Sequence, residues 1–127
     1  MRLNQVTVPA RDVPEAVAFY TLLGLRLIVD NAQHYARFEC SDEQSTFSVE
    51  LSPEATGSDT MLYFECDVDA EYARLTAVGV AFEQPPTDQP WMWREAHLRD
   101  PSGNRVCLYA PGSNRRFPPW RIDGRTA

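Results

Sequence analysis

The sequence predicts an α+β domain built from two β-α-β-β-β modules, and three observations carry that expectation. A helical stretch bracketed by an aspartate and a glycine occurs twice at the same length, Asp12 to Gly24 and Asp67 to Gly79. Each bracket is entered from a strand-like run, Leu3 to Val8 or Leu62 to Cys66, and is followed by polar and apolar alternation ending in a last strand. Pro53 to Asp59, short and polar, reads as the linker between the copies. Two copies of so long a unit in a small chain pair as halves rather than stack as a solenoid, which directs the search for function to the cleft between them.

In the first module Val6 and Val8 alternate with Gln5 and Thr7, the period of a half-buried strand. Asp12 supplies an N-cap, Pro14 sits in the first turn, and Glu15 follows three residues later as in a capping box. Val13, Ala16, Val17, Tyr20 and Leu23 recur at helical spacing until Gly24 stops the helix. Leu25 to Val29, Tyr35 to Cys40 and Thr46 to Leu51 read as strands.

The second module repeats the order. Met61 to Cys66 is a strand, Val68, Tyr72, Leu75 and Val78 mark a helix stripe, and Val80 to Glu83 begins the next strand. Pro85, Pro86 and Pro90 impose a loop or a bulged edge, because proline cannot donate to a ladder. Trp93 to Arg99 and Arg105 to Tyr109 flank the turn sequence Asp100-Pro101-Ser102-Gly103-Asn104. Beyond Pro111, the stretch Asn114 to Arg121 is too proline-rich for helix, and it is expected to lie as an extended arm on the body or on a partner subunit. The expected organisation is one domain over 1–111, with modules 1–52 and 60–111, and an arm over 112–127.

Composition narrows the partners. The 127 residues carry a net charge of −6, and all 12 basic residues are arginine. No dense basic run is present to neutralise a phosphate backbone, so nucleic acid is not an expected partner. Three widely spaced cysteines form no C-x-x-C and read as reduced thiols. With no apolar run of membrane-spanning length and no signal-peptide pattern at the start, the expectation is a soluble, cytoplasmic protein without a membrane partner.

The order of elements, the phrase Ala18-Phe19-Tyr20 with Leu23-Gly24, the helix start Asp67-Val68-Asp69-Ala70 with Gly79-Val80, and the Asp100 to Asn104 turn together resemble the vicinal oxygen chelate superfamily: glyoxalases, bleomycin-resistance proteins and extradiol dioxygenases. The resemblance covers residues 3–109. It implies two modules whose sheets form one open β cup with helices outside and ligand or metal inside, often in homodimers.

Alternation chooses the ligand-facing side independently, since the apolar set must face the helices. It assigns Gln5, Thr7, Tyr35, Arg37, Ser48, Glu50, Met61, Tyr63, Glu65, Trp93, Glu95, His97, Arg105, Cys107 and Tyr109 to the concave face. Aromatics and arginines mixed in this way can stack a planar ligand and pair with an anionic group on it. In metal-dependent members, ligands come from the first and last strands of each half, which the resemblance places on Gln5, Glu50, Met61 and Cys107. A thioether and a thiol stand where histidine and glutamate are expected, so no coherent hard-metal site results. The expectation is therefore no cofactor. Should a divalent metal bind, Gln5 and Glu50 with Glu95 or His97 are the residues expected to hold it.

Several residues keep two readings. Gln5 and Glu50 are either a polar pair lining a wet cavity or half of a metal site. Glu95 and His97, two apart on a strand, share a face and are either surface groups or an acid–base or ligand pair. Cys107 is a packing residue or a nucleophile, with no histidine near it in sequence. Trp91 and Trp93 cap a ligand or close a sheet edge, while Arg37 and Arg105 are solvated or pair with an anion. The function expected is binding of a small planar or anionic organic ligand without an intact metal site. The alternatives are a metal-dependent lyase, isomerase or dioxygenase of the glyoxalase type, or a non-catalytic interaction domain using the arm.

Overall fold

The computed structural model describes residues 1–123. Its elements run β1 (Gln5–Ala10), α1 (Val13–Leu23), β2 (Arg26–Asn31), β3 (Tyr35–Glu39), β4 (Thr46–Leu51), β5 (Met61–Glu65), α2 (Val68–Ala77), β6 (Gln84–Asp88), β7 (Arg94–Arg99) and β8 (Arg105–Ala110). They make two open four-stranded sheets of the same topology, β1-β4-β3-β2 and β5-β8-β7-β6. The architecture is α+β, with one helix to each β-α-β-β-β run. No helix among the described residues is long and apolar enough to cross a membrane.

The chain divides into two compact units, one of Met1–Met61 with Arg99–Arg105, the other of Leu62–Leu98 with the chain from Val106 on. In the first unit Asp12 caps α1 as its sequence demands, accepting from Glu15 N at 2.9 Å, and Gly24 closes the helix at φ 105°. Tyr20 is buried from α1 against Phe38 and Phe47, at 5.9 and 4.5 Å between ring centroids. Val8, Ala10, Ala36, Phe38, Phe47 and Val49 are buried, whereas Gln5, Thr7, Arg37 and Glu50 are exposed, as the alternation predicts. β1 and β4 pair in parallel, with Gln5 opposite Thr46 and Pro9 opposite Glu50.

The turn Asp100 to Asn104 packs into this first unit. The buried Asp100 carboxylate accepts from Tyr20 Oη at 2.6 Å, Asn104 Nδ2 at 2.7 Å, and the amides of Ser102 and Asn104 at 2.9 Å. Asn104 Nδ2 also donates to Pro9 O at 2.8 Å, and Arg11 N donates to Ser102 Oγ at 2.9 Å. Gly103, at φ 88°, lies against the backbone at Thr56, where a Cβ would stand 2.8 Å from the carbonyl oxygen. The turn sequence thus contributes a polar core to the first unit as well as a reversal between β7 and β8.

In the second unit Val68 and Leu75 are the buried residues of α2, and Tyr72 meets Phe82 edge-on at 4.8 Å. Arg94 on β7 ties Asp69 of α2 and Asp88 of β6, each at 2.9 Å. The second unit departs from expectation at three places. The strand does not begin at Val80 but at Gln84, and runs through Pro85 and Pro86 as an edge whose register with β7 slips between Gln84 and Thr87. An edge strand tolerates proline because its outward side needs no donor. Val78 is exposed and follows the helix rather than completing its stripe. Residues after Pro111 are not extended: Gly112–Asn114 form a 3-10 turn, and Phe117 N → Ser113 O (2.8 Å) and Arg121 N → Pro118 O (3.1 Å) continue the turns. Asn114 N → Pro111 O and Arg121 N → Pro118 O each use an amide three residues past a proline, so the proline sits in the turn without removing its donor. Positions 124–127 of the expected arm lie outside the described residues.

Candidate functional site

The first unit's polar face is a hydrogen-bonded network rather than a pair of free donors. Gln5 Nε2 donates to Ser48 Oγ at 2.8 Å and its Oε1 accepts from Thr46 Oγ1. Ser48 also shares a 2.6 Å bond with Tyr35 Oη, to which Arg37 Nε donates at 2.9 Å. The bond to Ser48, followed by the Arg37 guanidinium, lowers the Tyr35 phenol below its usual range. Glu50, opposite Pro9, lies four residues along the parallel pair from the Thr46 that neighbours Gln5. At about 3.3 Å per residue that is about 13 Å of strand. Glu50 also stands opposite Tyr35 on β3, and Met61 offers only a thioether, a donor that hard divalent ions do not favour.

The second unit gathers what the sequence left apart. β7 and β8 are neighbours, and the bond Asp100 N → Asn104 O sets the hairpin so that His97 and Cys107, three residues to either side, meet. His97 Nε2 lies 2.8 Å from Glu95 Oε1 and 3.8 Å from Cys107 Sγ. One ligand atom from each of the three residues lies within 4.8 Å of the other two. Glu95 is only 3% exposed, and its Oε2 accepts from Trp91 Nε1 at 2.6 Å. Burial first, and then the Glu95 carboxylate, push the Cys107 thiol from its ordinary 9.0 up to about 12. A thiol so held is a poor nucleophile at neutral pH. Glu95 and Cys107 also converge on the same ring nitrogen, so the carboxylate does not orient the far side of the imidazole as a relay requires.

Beside this trio stands an aromatic group. Tyr63 packs edge-on against Trp93 (5.8 Å, 86°) and Tyr109 (5.3 Å, 70°), and Trp93 leans on Tyr109 at 5.0 Å. Trp93 Nε1 donates to Asn114 O at 3.1 Å, which ties the indole to the segment after β8. Tyr63 keeps 50% of its surface exposed while Tyr109 keeps 7%. Arg105 donates to Asp59 O, and its Nε is buried without a hydrogen-bond partner. His34 is exposed at a turn. Trp91 as the partner of Glu95 was missed by sequence reasoning. Strand alternation carried no signal for it, because Trp91 precedes β7 in the turn closed by Met92 N → Gln89 O.

The family model described as Glyoxalase/Bleomycin resistance protein/Dioxygenase superfamily matches residues 2–108. Among curated proteins no match was found. Of solved structures, lactoylglutathione lyase from Agrobacterium tumefaciens is similar at 21% identity and a TM-score of 0.72, covering 86% of this chain and 92% of its own. A glyoxalase/bleomycin resistance protein/dioxygenase from Nocardioides reaches 24% identity and 0.75, covering 96% and 89%. A bleomycin-binding protein complexed with bleomycin reaches 20% and 0.71, covering 88% and 100%. At these identities the structures bear on the fold, while the family match spans most of the sequence. The chain belongs to the glyoxalase/bleomycin resistance protein/dioxygenase superfamily.

Proposed function

We propose that this protein binds a small planar organic ligand non-covalently on the aromatic face of its second sheet. The observation that carries the reading is the Tyr63–Trp93–Tyr109 group, in which one half-exposed ring is held by two others and the indole is anchored by its own hydrogen bond. Rings fixed in this way offer stacking area at low entropic cost. The similarity to a protein crystallised with bleomycin supports the same reading, because that relative carries an organic ligand on this fold. A glyoxalase-type lyase or dioxygenase is supported less well, given a thioether at Met61 and a thiol at Cys107 where the family resemblance expects histidine and glutamate. One domain over 1–111 with an appended tail, a homodimer, and residence in the cytoplasm with Cys40, Cys66 and Cys107 unpaired belong to the same proposal.

Titration with bleomycin and with a panel of planar aromatic carboxylates, read by tryptophan fluorescence and thermal shift, tests it. Binding is expected to weaken by about 1 to 3 kcal/mol in Trp93→Ala, with a smaller loss in Tyr63→Ala. Arg37→Ala and Arg105→Ala report whether an arginine pairs with a ligand's anionic group. A ligand whose affinity is the same in folded Trp93→Ala as in the parent protein overturns the assignment.

A further inference from the structure

Three side chains with different donor atoms converge on one small volume in the second unit. Glu95 and His97 come from alternate positions of β7, and Cys107 from the adjacent β8. The Sγ to Nε2 separation is 3.8 Å and the Nε2 to Oε1 separation is 2.8 Å. Around a tetrahedral ion, bonds of about 2.3 Å to sulfur and about 2.0 Å to nitrogen or oxygen put the ligand atoms about 3.3 to 3.6 Å apart. These two separations bracket that range and all three ligand atoms lie within 4.8 Å of one another, so side-chain adjustments of about an ångström would bring them around one ion.

We propose that Glu95, His97 and Cys107 form a binding site for one divalent ion of the zinc class. Two of its three donors come from β7, a strand outside the first and last strands to which the family resemblance assigns ligands. A mixed carboxylate, imidazole and thiolate set selects borderline ions and disfavours magnesium and calcium, which take oxygen. Binding releases the thiol proton to solvent as the sulfur–metal bond forms. Trp91 Nε1 on Glu95 Oε2 leaves Oε1 turned toward His97, the outer-shell contact that holds a ligating carboxylate in place. Three protein donors leave a fourth position open to water or to an organic ligand. The inference stands without the stacking proposal, since none of its three donors belongs to the aromatic group.

The test is titration of the tag-free full chain with Zn²⁺ by calorimetry, and with Co²⁺ followed by its thiolate charge-transfer absorption. One ion per chain is expected, with the absorption band present. Loss of an outer-shell partner costs about 10- to 100-fold in affinity, so Cys107→Ser and His97→Gln should each exceed a loss of about a hundredfold, with Trp91→Phe near about tenfold. Cys40→Ser and Cys66→Ser should leave affinity unchanged. His97→Gln, at a partly exposed position, carries the test if Cys107→Ser fails to fold. Absence of stoichiometric Zn²⁺ binding, a charge-transfer band that persists in Cys107→Ser, full affinity in folded His97→Gln, or equal displacement by Mg²⁺ overturns the proposal.

Discussion

Tyr20→Phe removes one hydroxyl and leaves the ring where it packs, which makes it a clean probe of the polar core in the first unit. Asp100, 5% exposed, keeps its bonds from Asn104 Nδ2, Ser102 N and Asn104 N when the phenol donor at 2.6 Å is lost. A hydrogen bond to a charged group contributes about 1.5 to 3 kcal/mol. Because Oδ2 still accepts from Asn104, the lower part of that range applies, about 1.5 to 2 kcal/mol. Unfolding entropy near 2.1 cal/mol/K per residue over 127 residues gives about 0.27 kcal/mol/K, so the melting temperature should fall by about 6 to 7 °C. Burial, together with the charge and hydrogen bond of Asp100, holds the Tyr20 phenol protonated well above the usual tyrosine range, so the loss should not vary between pH 6 and 9. Asp100→Ala, which removes the acceptor of the phenol, of two amides and of one Asn104 Nδ2 bond, should cost more than about 4 kcal/mol. Urea denaturation followed by circular dichroism measures both, and a cycle with Asp100→Asn should return a coupling above about 1 kcal/mol. A cost below about 0.5 kcal/mol for Tyr20→Phe would refute the assignment of Tyr20 as the donor that satisfies Asp100.

Gly103→Ala should destabilise by about 2 kcal/mol or more in the same assay, because the backbone has φ 88° and the new methyl would meet the Thr56 carbonyl; a loss no larger than that of an exposed control would count against the close approach. Alkaline stability should decline between about pH 9 and pH 12. Burial raises Cys107 to about 12 and Cys66 to about 11 from an ordinary 9.0, and groups raised on folding stabilise fully below their unfolded value and lose that contribution as pH climbs through the folded one. A flat denaturation midpoint across that window would contradict the burial of these thiols. Light scattering should give a dimer mass at micromolar concentration, given Ile28 and Val29 exposed on an edge strand of the first unit and Trp120, in the second, 57% exposed. A chain ending at Pro111 should dimerise less tightly, and a monomer mass for the full chain would sink this expectation.

Local chemistry was legible in the sequence wherever one element decides the outcome. Asp12 and Gly24 bound α1, and the alternation of Gln5, Thr7, Arg37 and Glu50 with apolar neighbours named the polar face of the first sheet, because period and capping act within a few residues. The prolines of β6 marked an edge but not its start, since pairing with β7 and its bulge chose the register there. The meeting of His97 with Cys107 followed from a short hairpin, and counting outward from Asp100 and Asn104 could have found it. Whether Gln5 neighbours Glu50 could not be counted, because β1 and β4 are parallel strands far apart in sequence whose register depends on how α1 and the intervening strands pack. Tyr20 reads as an apolar helix position, and only the tertiary structure brings its hydroxyl to Asp100, 80 residues away. The sequence by itself determined the modules, the capped helix and the polar face of β1, β3 and β4. Register between distant strands and the partners of buried polar groups were decided by tertiary packing, because those energies exist only once the surfaces meet.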